Sequence, residues 1–263
     1  GLVILLLVTF FVKIPYRVWL FTHKFLGVAF FIGGLHVLFI NSDTTTDHIL
    51  KYFILSITAL GLIAFIYKTL AGKILIRKYM YHLADVKVES GNVTHMILYP
   101  EKERMSYKPG QFVFVRFLDN DQHEITKEWH PFSISSSPND EYVRLSVKGL
   151  GDFTSKLVNI RPGTVAEIEG AYGKFSYKEF SNKNQIWVAG GIGITPFLSM
   201  AKELPSTGYK VDLYYSVKTE SELIDINTLK ELAILKSESV RRIPYIGDQQ
   251  QRYLGADFIE QTS

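Results

Sequence analysis

Gln185-Ile186-Trp187-Val188-Ala189-Gly190-Gly191-Ile192-Gly193-Ile194-Thr195-Pro196 reads as a short apolar strand that runs into a glycine turn and then into a helix start. An apolar helical pattern follows through Phe197, Leu198, Met200 and Ala201, and Val211-Asp212-Leu213-Tyr214-Tyr215 is a second strand. Strand, glycine turn, helix, strand is the βαβ arrangement of a dinucleotide site. Gly190, Gly191 and Gly193 allow a tight turn and a close approach of the backbone to a pyrophosphate. Thr195 is placed as the N-cap and Pro196 as the first helical residue, so that amide groups and the positive helix end face an anion. The spacing is not G-x-G-x-x-G, and a purely structural turn accounts for the glycines equally well. The second strand tips the reading towards a nucleotide.

Upstream, from Leu83, short alternating runs are broken by turns. Val86 to Leu98, Phe112 to Phe117, Tyr142 to Val147 and Val165 to Ile168 read as strands, with turn signals at Pro109-Gly110 and Pro162-Gly163. These predict a small antiparallel barrel. Asp152 to Asn159 is a predicted helix whose start, at Gly151, Phe153 and Thr154, presents free N–H groups suited to a pyrophosphate. Lys148 is either a cation for a phosphate or a solvated strand end.

Across all 263 residues, 47% are apolar and 21% charged, but the first 72 or so are dominated by Leu, Ile, Val and Phe. A net charge of +3 without a dense basic run gives no support for nucleic acid, and the absence of cysteine excludes disulfides, thiolate nucleophiles and Cys-ligated clusters within these residues. Val18 to Ile40 carries Lys24 alone as a charge, and Tyr52 to Tyr67 is uncharged, extending to Leu70 if Lys68 snorkels. Each is close to the roughly 20 residues that cross a bilayer core. The acidic stretch from Asn41 to Asp47 separates them. Lys13, Arg17, Lys24, Lys68, Lys73, Arg77 and Lys78 gather on the other side, which the positive-inside rule assigns to the cytoplasm. A buried helical hairpin of a soluble domain is the other reading.

His23 and His36 lie in the first apolar segment, where ionisable residues suggest function. Thirteen residues correspond to ~20 Å along a helix, too far for one ion but suited to two stacked haems. On an ideal helix they point roughly 140° apart, so a shared stripe needs a bend, for which Gly33-Gly34 is placed. Packing or interfacial roles also fit such a pair.

Several segments resemble the NADPH oxidase and ferric reductase family. Trp129-His130-Pro131-Phe132-Ser133-Ile134-Ser135-Ser136 is similar to its flavin signature, and Leu145-Ser146-Val147-Lys148-Gly149-Leu150-Gly151-Asp152-Phe153-Thr154 to the phosphate-binding segment after it. Gly170-Ala171-Tyr172-Gly173-Lys174-Phe175 resembles the segment that closes that domain, and Gly190 to Phe197 the nicotinamide-dinucleotide signature of the ferredoxin–NADP reductase superfamily. Tyr16-Arg17, Phe21-Thr22-His23 and His36 resemble the fifth membrane helix. The resemblance implies that Phe132 walls the isoalloxazine, Ser133 sits near flavin N5, and His130, beside Pro131, meets the FAD ribose or phosphates. It also implies that His23 and His36 ligate two b-type haems. Ser216 and Lys218, at the end of the second strand, suit the 2′-phosphate of NADPH over NADH, although Glu220 and Glu222 lie close by.

The departures are Ala171, where the family commonly has Pro, and the lack of earlier membrane helices, of a C-terminal Cys-Gly signature and of a final aromatic. Asp248 to Ile259 resembles the segment before that signature. With Gly1 inside an apolar run, the chain reads as a fragment. The expected fold is transmembrane α-helices (1–78), an antiparallel β-barrel FAD domain (79–180) and an α/β NAD(P)H domain (181–263). The expected function is electron transfer from NAD(P)H through FAD and haem to oxygen or a ferric chelate, in a multi-pass cell-membrane protein with its soluble part in the cytoplasm. The alternatives are a membrane-anchored flavin reductase for a protein acceptor and a non-catalytic membrane subunit.

Overall fold

The structure, a computed structural model, describes residues 3, 7, 10, 11, 16–39, 47–67, 76–118, 125, 127–250 and 252–263, with 16–24 described as helical backbone alone. The chain divides into two compact units, Gly1–Ile76 and Arg77–Ser263.

The first unit contains α1 (Tyr16–Phe39) and α2 (His48–Ile66). Asp47 caps α2, its Oδ1 accepting from Leu50 N at 3.0 Å. Among the described residues, α2 is long and apolar enough to cross a membrane, whereas the described apolar stretch of α1 is the shorter Phe25–Phe39. None of the α2 side chains is buried. The helices meet through small residues. A methyl group added at Gly27 would overlap the Phe65 ring, one at Gly34 would overlap Thr58, and one at Gly61 would overlap Phe30. Among the described residues nothing lies within 4 Å of a Cβ added at Gly33, and α1 runs unbroken through Gly33-Gly34. Gly34 thus serves close packing. The acidic stretch at 41–46 and Lys13, Lys68 and Lys73 lie outside the described residues.

In the second unit, β1 (Lys78–Glu89), β2 (Val93–Pro100), β3 (Phe112–Phe117), β4 (His130–Ser133), β5 (Val143–Lys148) and β6 (Val165–Tyr172) form an antiparallel sheet of order β4-β3-β6-β1-β2-β5. An isolated bridge from Ile134, just past β4, to Leu145 of β5 joins the two ends of this sheet. Alternate residues point inward: Val113, Val115 and Phe117 of β3, with Tyr81, Leu83, Met96, Leu98, Leu145 and Ile168, make a buried core. The run from Val86 to Leu98, expected as one strand, is a hairpin instead. Gly91 (φ +75°) and Asn92 (φ 59°) reverse the chain between β1 and β2. The polar residues Glu89, Ser90 and Asn92 are the local signal for that turn.

The expected helix over Asp152 to Asn159 is a 3₁₀ turn, Thr154–Asn159. The Thr154 hydroxyl accepts from both Leu150 N and Gly151 N at 3.0 Å, so these amides are already bonded.

The remainder is a parallel sheet of order β7-β8-β9, made by β7 (Asn184–Gly190), β8 (Lys210–Val217) and β9 (Val240–Ile246). A 3₁₀ turn at Gly191–Ile194 leads into α3 (Thr195–Glu203), and α4 (Ile226–Leu235), α5 (Gly247–Gln250) and α6 (Ala256–Thr262) follow. Leu213, Tyr215, Leu198, Ala201 and Leu229 belong to one core cluster. Tyr214 faces the other way, its hydroxyl bonding Thr262 Oγ1 at 2.9 Å on α6. Thr195 is the first residue of α3 rather than its cap. Its hydroxyl donates back to Ile192 O at 3.1 Å, and Ile194 stands at the N-cap position.

Candidate functional site

The flavin-type segments converge through their aromatic rings. β4 places His130 opposite Val115 and Phe132 opposite Val113 of β3. Phe153, from the next motif, stacks on His130 with ring centroids 3.5 Å apart and an interplanar angle of 17°. Phe132 lies 6.4 Å from both rings at 27° and 20°, so the three planes are nearly parallel. Among the described residues, His130 Nε2 is buried without a hydrogen-bond partner; Glu128 Oε2, at 4.0 Å, is beyond hydrogen-bond reach. Burial lowers the His130 pKa, and Glu128 opposes that shift. A neutral imidazole with an unmet polar atom fits a ribose or phosphate oxygen of FAD. Ser133 is half-buried opposite Phe112, and Pro131 is exposed.

Lys148, the candidate phosphate cation at the end of β5, is paired across the domains. Its Nζ is 3.2 Å from Glu222 Oε1, which belongs to the nucleotide-type domain. Gly151 is tied to Thr154 as described, and an added Cβ there would meet nothing within 4 Å among the described residues.

The glycine turn is open in the way a dinucleotide requires. Among the described residues, and leaving aside chain neighbours, Cβ atoms added at Gly190, Gly191 or Gly193 would meet nothing within 4 Å, so their packing does not demand glycine. Gly191 also has φ +50°. Such bare backbone fits a pyrophosphate lying against it. The β7–β8 register sets Gly190 opposite Ser216. Gly191, Ser216 and Lys218 share a cavity of about 610 Å³ at the carboxyl ends of the strands, where ligands of open α/β sheets bind. Pro196 and the buried Thr195 lie at the start of α3.

Sequence reasoning missed four further lining residues, Gly247, Asp248, Arg252 and Tyr253. They follow β9, whose Arg241-Arg242 and Pro244 break the alternation that marks a strand. Arg252 bonds Asp257 Oδ2 at 2.8 Å and remains half-exposed.

A buried polar network joins the two domains and was likewise not anticipated. Arg144 Nη2 lies 2.7 Å from Asp225 Oδ1 and 2.9 Å from His95 Nδ1. His95 Nε2 is 2.7 Å from Glu89 Oε2, and Asp225 N donates to Glu89. Glu89, His95 and Asp225 hold potential ligand atoms within 4.8 Å of one another. Arg144 already supplies the cation there, so the cluster is an interdomain ion network. On α3, Ser199 Oγ donates to Ser136 O at 2.6 Å and adds a second tie between the domains.

In the first unit, His36 is exposed on α1 and lines a surface groove of about 320 Å³ with Ile32, Leu35 and Phe39. An exposed imidazole flanked by apolar side chains fits an axial haem ligand. The side chain of His23 lies outside the described residues.

Residues 78–185 match the FAD-binding domain family, and residues 187–261 match the oxidoreductase NAD-binding domain family. The chain is 34% identical over 120 residues to a superoxide-generating NADPH oxidase heavy chain of Dictyostelium discoideum, covering 39% of this chain and 22% of that protein. It is 34% identical over 144 residues to ferric reduction oxidase 8, mitochondrial, of Arabidopsis thaliana, covering 48% of this chain and 19% of that protein. The chain thus spans much less than two thirds of these relatives. In fold, it is similar to a ferredoxin-NADP+ reductase from Plasmodium falciparum solved with 2′P-AMP, with a TM-score of 0.59, 18% identity, and coverage of 70% of this chain and 80% of that one.

Proposed function

We propose that this oxidoreductase, which matches an FAD-binding and an oxidoreductase NAD-binding domain family and is similar to NADPH oxidases and ferric reductases, carries electrons from NADPH through FAD to b-type haem in a membrane, for delivery to oxygen or ferric iron. The observation that carries this reading is the cavity where Gly191, Ser216 and Lys218 meet, in the same compact unit as the His130–Phe132–Phe153 stack.

When bound, FAD accepts hydride from a nicotinamide and releases electrons singly, and haem iron relays them one at a time. The protein supplies placement and electrostatics. Phe132 walls the flavin, Ser133 faces its reactive edge without blocking access, and His130 Nε2 donates to or accepts from a ribose or phosphate oxygen. Gly190, Gly191 and Gly193 cradle the nucleotide pyrophosphate with bare backbone. Ser216, Lys218 and Arg252 supply hydrogen bonds and positive charge for a 2′-phosphate.

The helices of the first unit span the bilayer in this reading. It is supported by the length and apolar composition of α2 and by its exposed Ile49, Phe53, Leu60 and Ile63. His23 and His36 ligate separate haems, and the flavin and nucleotide domains lie in the cytoplasm.

The test is anaerobic mixing of the FAD-loaded protein with NADPH in detergent. The expected result is loss of oxidised flavin absorbance. A fully oxidised spectrum at saturating nucleotide, with FAD still bound, refutes the reading. For haem, His23→Leu and His36→Leu in the full-length protein in haem-supplied membranes should each remove about one haem's absorbance; unchanged haem content removes that residue from the ligand set.

A further inference from the structure

We propose that Lys148 is a specificity determinant for the nucleotide: its ammonium group neutralises Glu222 at the wall of the nucleotide cavity and thereby admits a 2′-phosphate. This rests on the cavity being the NADPH site.

An acidic side chain just beyond the second strand of a dinucleotide fold favours the ribose 2′-hydroxyl and repels a 2′-phosphate. Glu222 is placed to do this. It ends the 3₁₀ turn Glu220–Glu222 that follows β8, and it lines the cavity with Ser216 and Lys218. Left alone, it would oppose the positive charge of Lys218.

Both of its oxygens are engaged. Oε2 accepts from Lys218 N at 3.2 Å, and Oε1 is 3.2 Å from Lys148 Nζ. The side chains of Lys148 and Glu222 are 22% and 31% exposed, so solvent screens the pair incompletely. The contact with Lys148, then the Lys218 amide, holds the Glu222 carboxyl below its ordinary pKa. Glu222 therefore stays ionised at neutral pH, and pairing rather than protonation cancels its field.

The geometry that delivers Lys148 is built into the flavin domain. Lys148 ends β5, and the next residue, Gly149, exchanges two bonds with Asn92: Gly149 N donates to Asn92 O and Asn92 Nδ2 donates to Gly149 O, both at 2.9 Å. Asn92 belongs to the β1–β2 turn. In that turn, a Cβ at Gly91 would lie 3.6 Å from both Ser221 O and Glu222 Cα. Turn, strand end and the Glu222 segment thus pack together, and a residue of one domain sets the charge of the ligand site in the other.

The experiment measures calorimetric affinities of 2′,5′-ADP and 5′-AMP for the full chain, as wild type, Lys148→Met, Lys148→Arg, Glu222→Gln and the Lys148→Met/Glu222→Gln double variant. Lys148→Met should weaken 2′,5′-ADP by about 5- to 10-fold, the size of one uncancelled charge at the edge of a partly screened site, with 5′-AMP nearly unchanged. Lys148→Arg should match wild type. Glu222→Gln should tighten 2′,5′-ADP, and on that background Lys148→Met should have little effect. Equal losses of 2′,5′-ADP binding with Glu222 and with Gln at 222 would mean that Lys148 meets the phosphate directly and overturn the proposal. Equal losses for both nucleotides would overturn it as well. If Lys148→Met does not fold, Glu222→Gln alone decides: unchanged discrimination refutes the proposal. A wild type that binds neither nucleotide refutes the cavity reading itself.

Discussion

Replacing Asp225 tests whether the interdomain network holds the two domains together. Its side chain is 6% exposed and that of its partner Arg144 is 13% exposed. Removing one member of a buried ion pair costs about 3–5 kcal/mol, because the other charge is left without compensation. Arg144 would keep its contact with His95 Nδ1 at 2.9 Å, and Asp225 Oδ2 has no hydrogen-bond partner to lose among the described residues, so the lower end, about 3 kcal/mol, is expected for Asp225→Asn. Asp225 also sits in the left-handed region, at φ 52° and ψ 29°, just before α4. Asn tolerates that conformation, whereas Ala incurs about 1 kcal/mol more. The asparagine variant should therefore melt about 6–12 °C below wild type and the alanine variant a few degrees lower still. Thermal unfolding followed by far-UV circular dichroism measures both. An asparagine variant as stable as wild type would show that the ion pair contributes nothing. Equal losses for Asn and Ala would remove the backbone part of the argument.

The same network predicts a pH response through His95, whose pKa is lowered by burial first and by Arg144 second, against Asp225 and Glu89. The unfolded chain then takes up the proton more readily, so this contribution is complete above pH 6.5 and is lost as pH falls from there towards the folded pKa. Urea titrations across that range should show a slope that His95→Gln flattens; an unchanged slope excludes His95 as its source. His130→Leu should weaken FAD binding by roughly 10-fold while stabilising the apoprotein, since it removes a buried unpaired nitrogen. Tighter or equal FAD binding would contradict the assigned role. Flavin extracted from the protein should be FAD, and a dominant FMN peak on chromatography would show that the Gly151 to Thr154 segment holds no second phosphate. Lys218→Ala should lower kcat/KM for NADPH and leave that for NADH nearly untouched, and equal losses would remove Lys218 from 2′-phosphate recognition.

The nucleotide domain was legible in the sequence where local chemistry repeats a simple pattern. An apolar run, three close glycines and a Thr-Pro pair are enough to place β7, the turn and α3, because each residue acts on its own backbone. β9 was not legible: two arginines and a proline conceal it, and its strand character comes from pairing with β8. The aromatic stack at His130 was foreshadowed by two motifs, but the contact between His130 and Phe153 forms where the two ends of the sheet, β4 and β5, come together, and it has no sequence period. The contact of Lys148 with Glu222 has no sequence signal, because a strand-end cation gives no hint of its partner. Glu222 reaches it from 74 residues away. Arg252 and Tyr253 escaped notice for the same reason, since only the return of the chain after β9 brings them to the cavity.

The matched glycines of the helical pair act as a vernier. Phe30 fits over Gly61, Phe65 over Gly27 and Thr58 over Gly34, so three notches and three teeth engage at once. A slip of one turn, about 5.4 Å, would move every bulky tooth off its notch and onto a side chain. Depth and rotation of α1 against α2 are therefore keyed together, and the height at which His36 is presented is fixed to less than one helical turn.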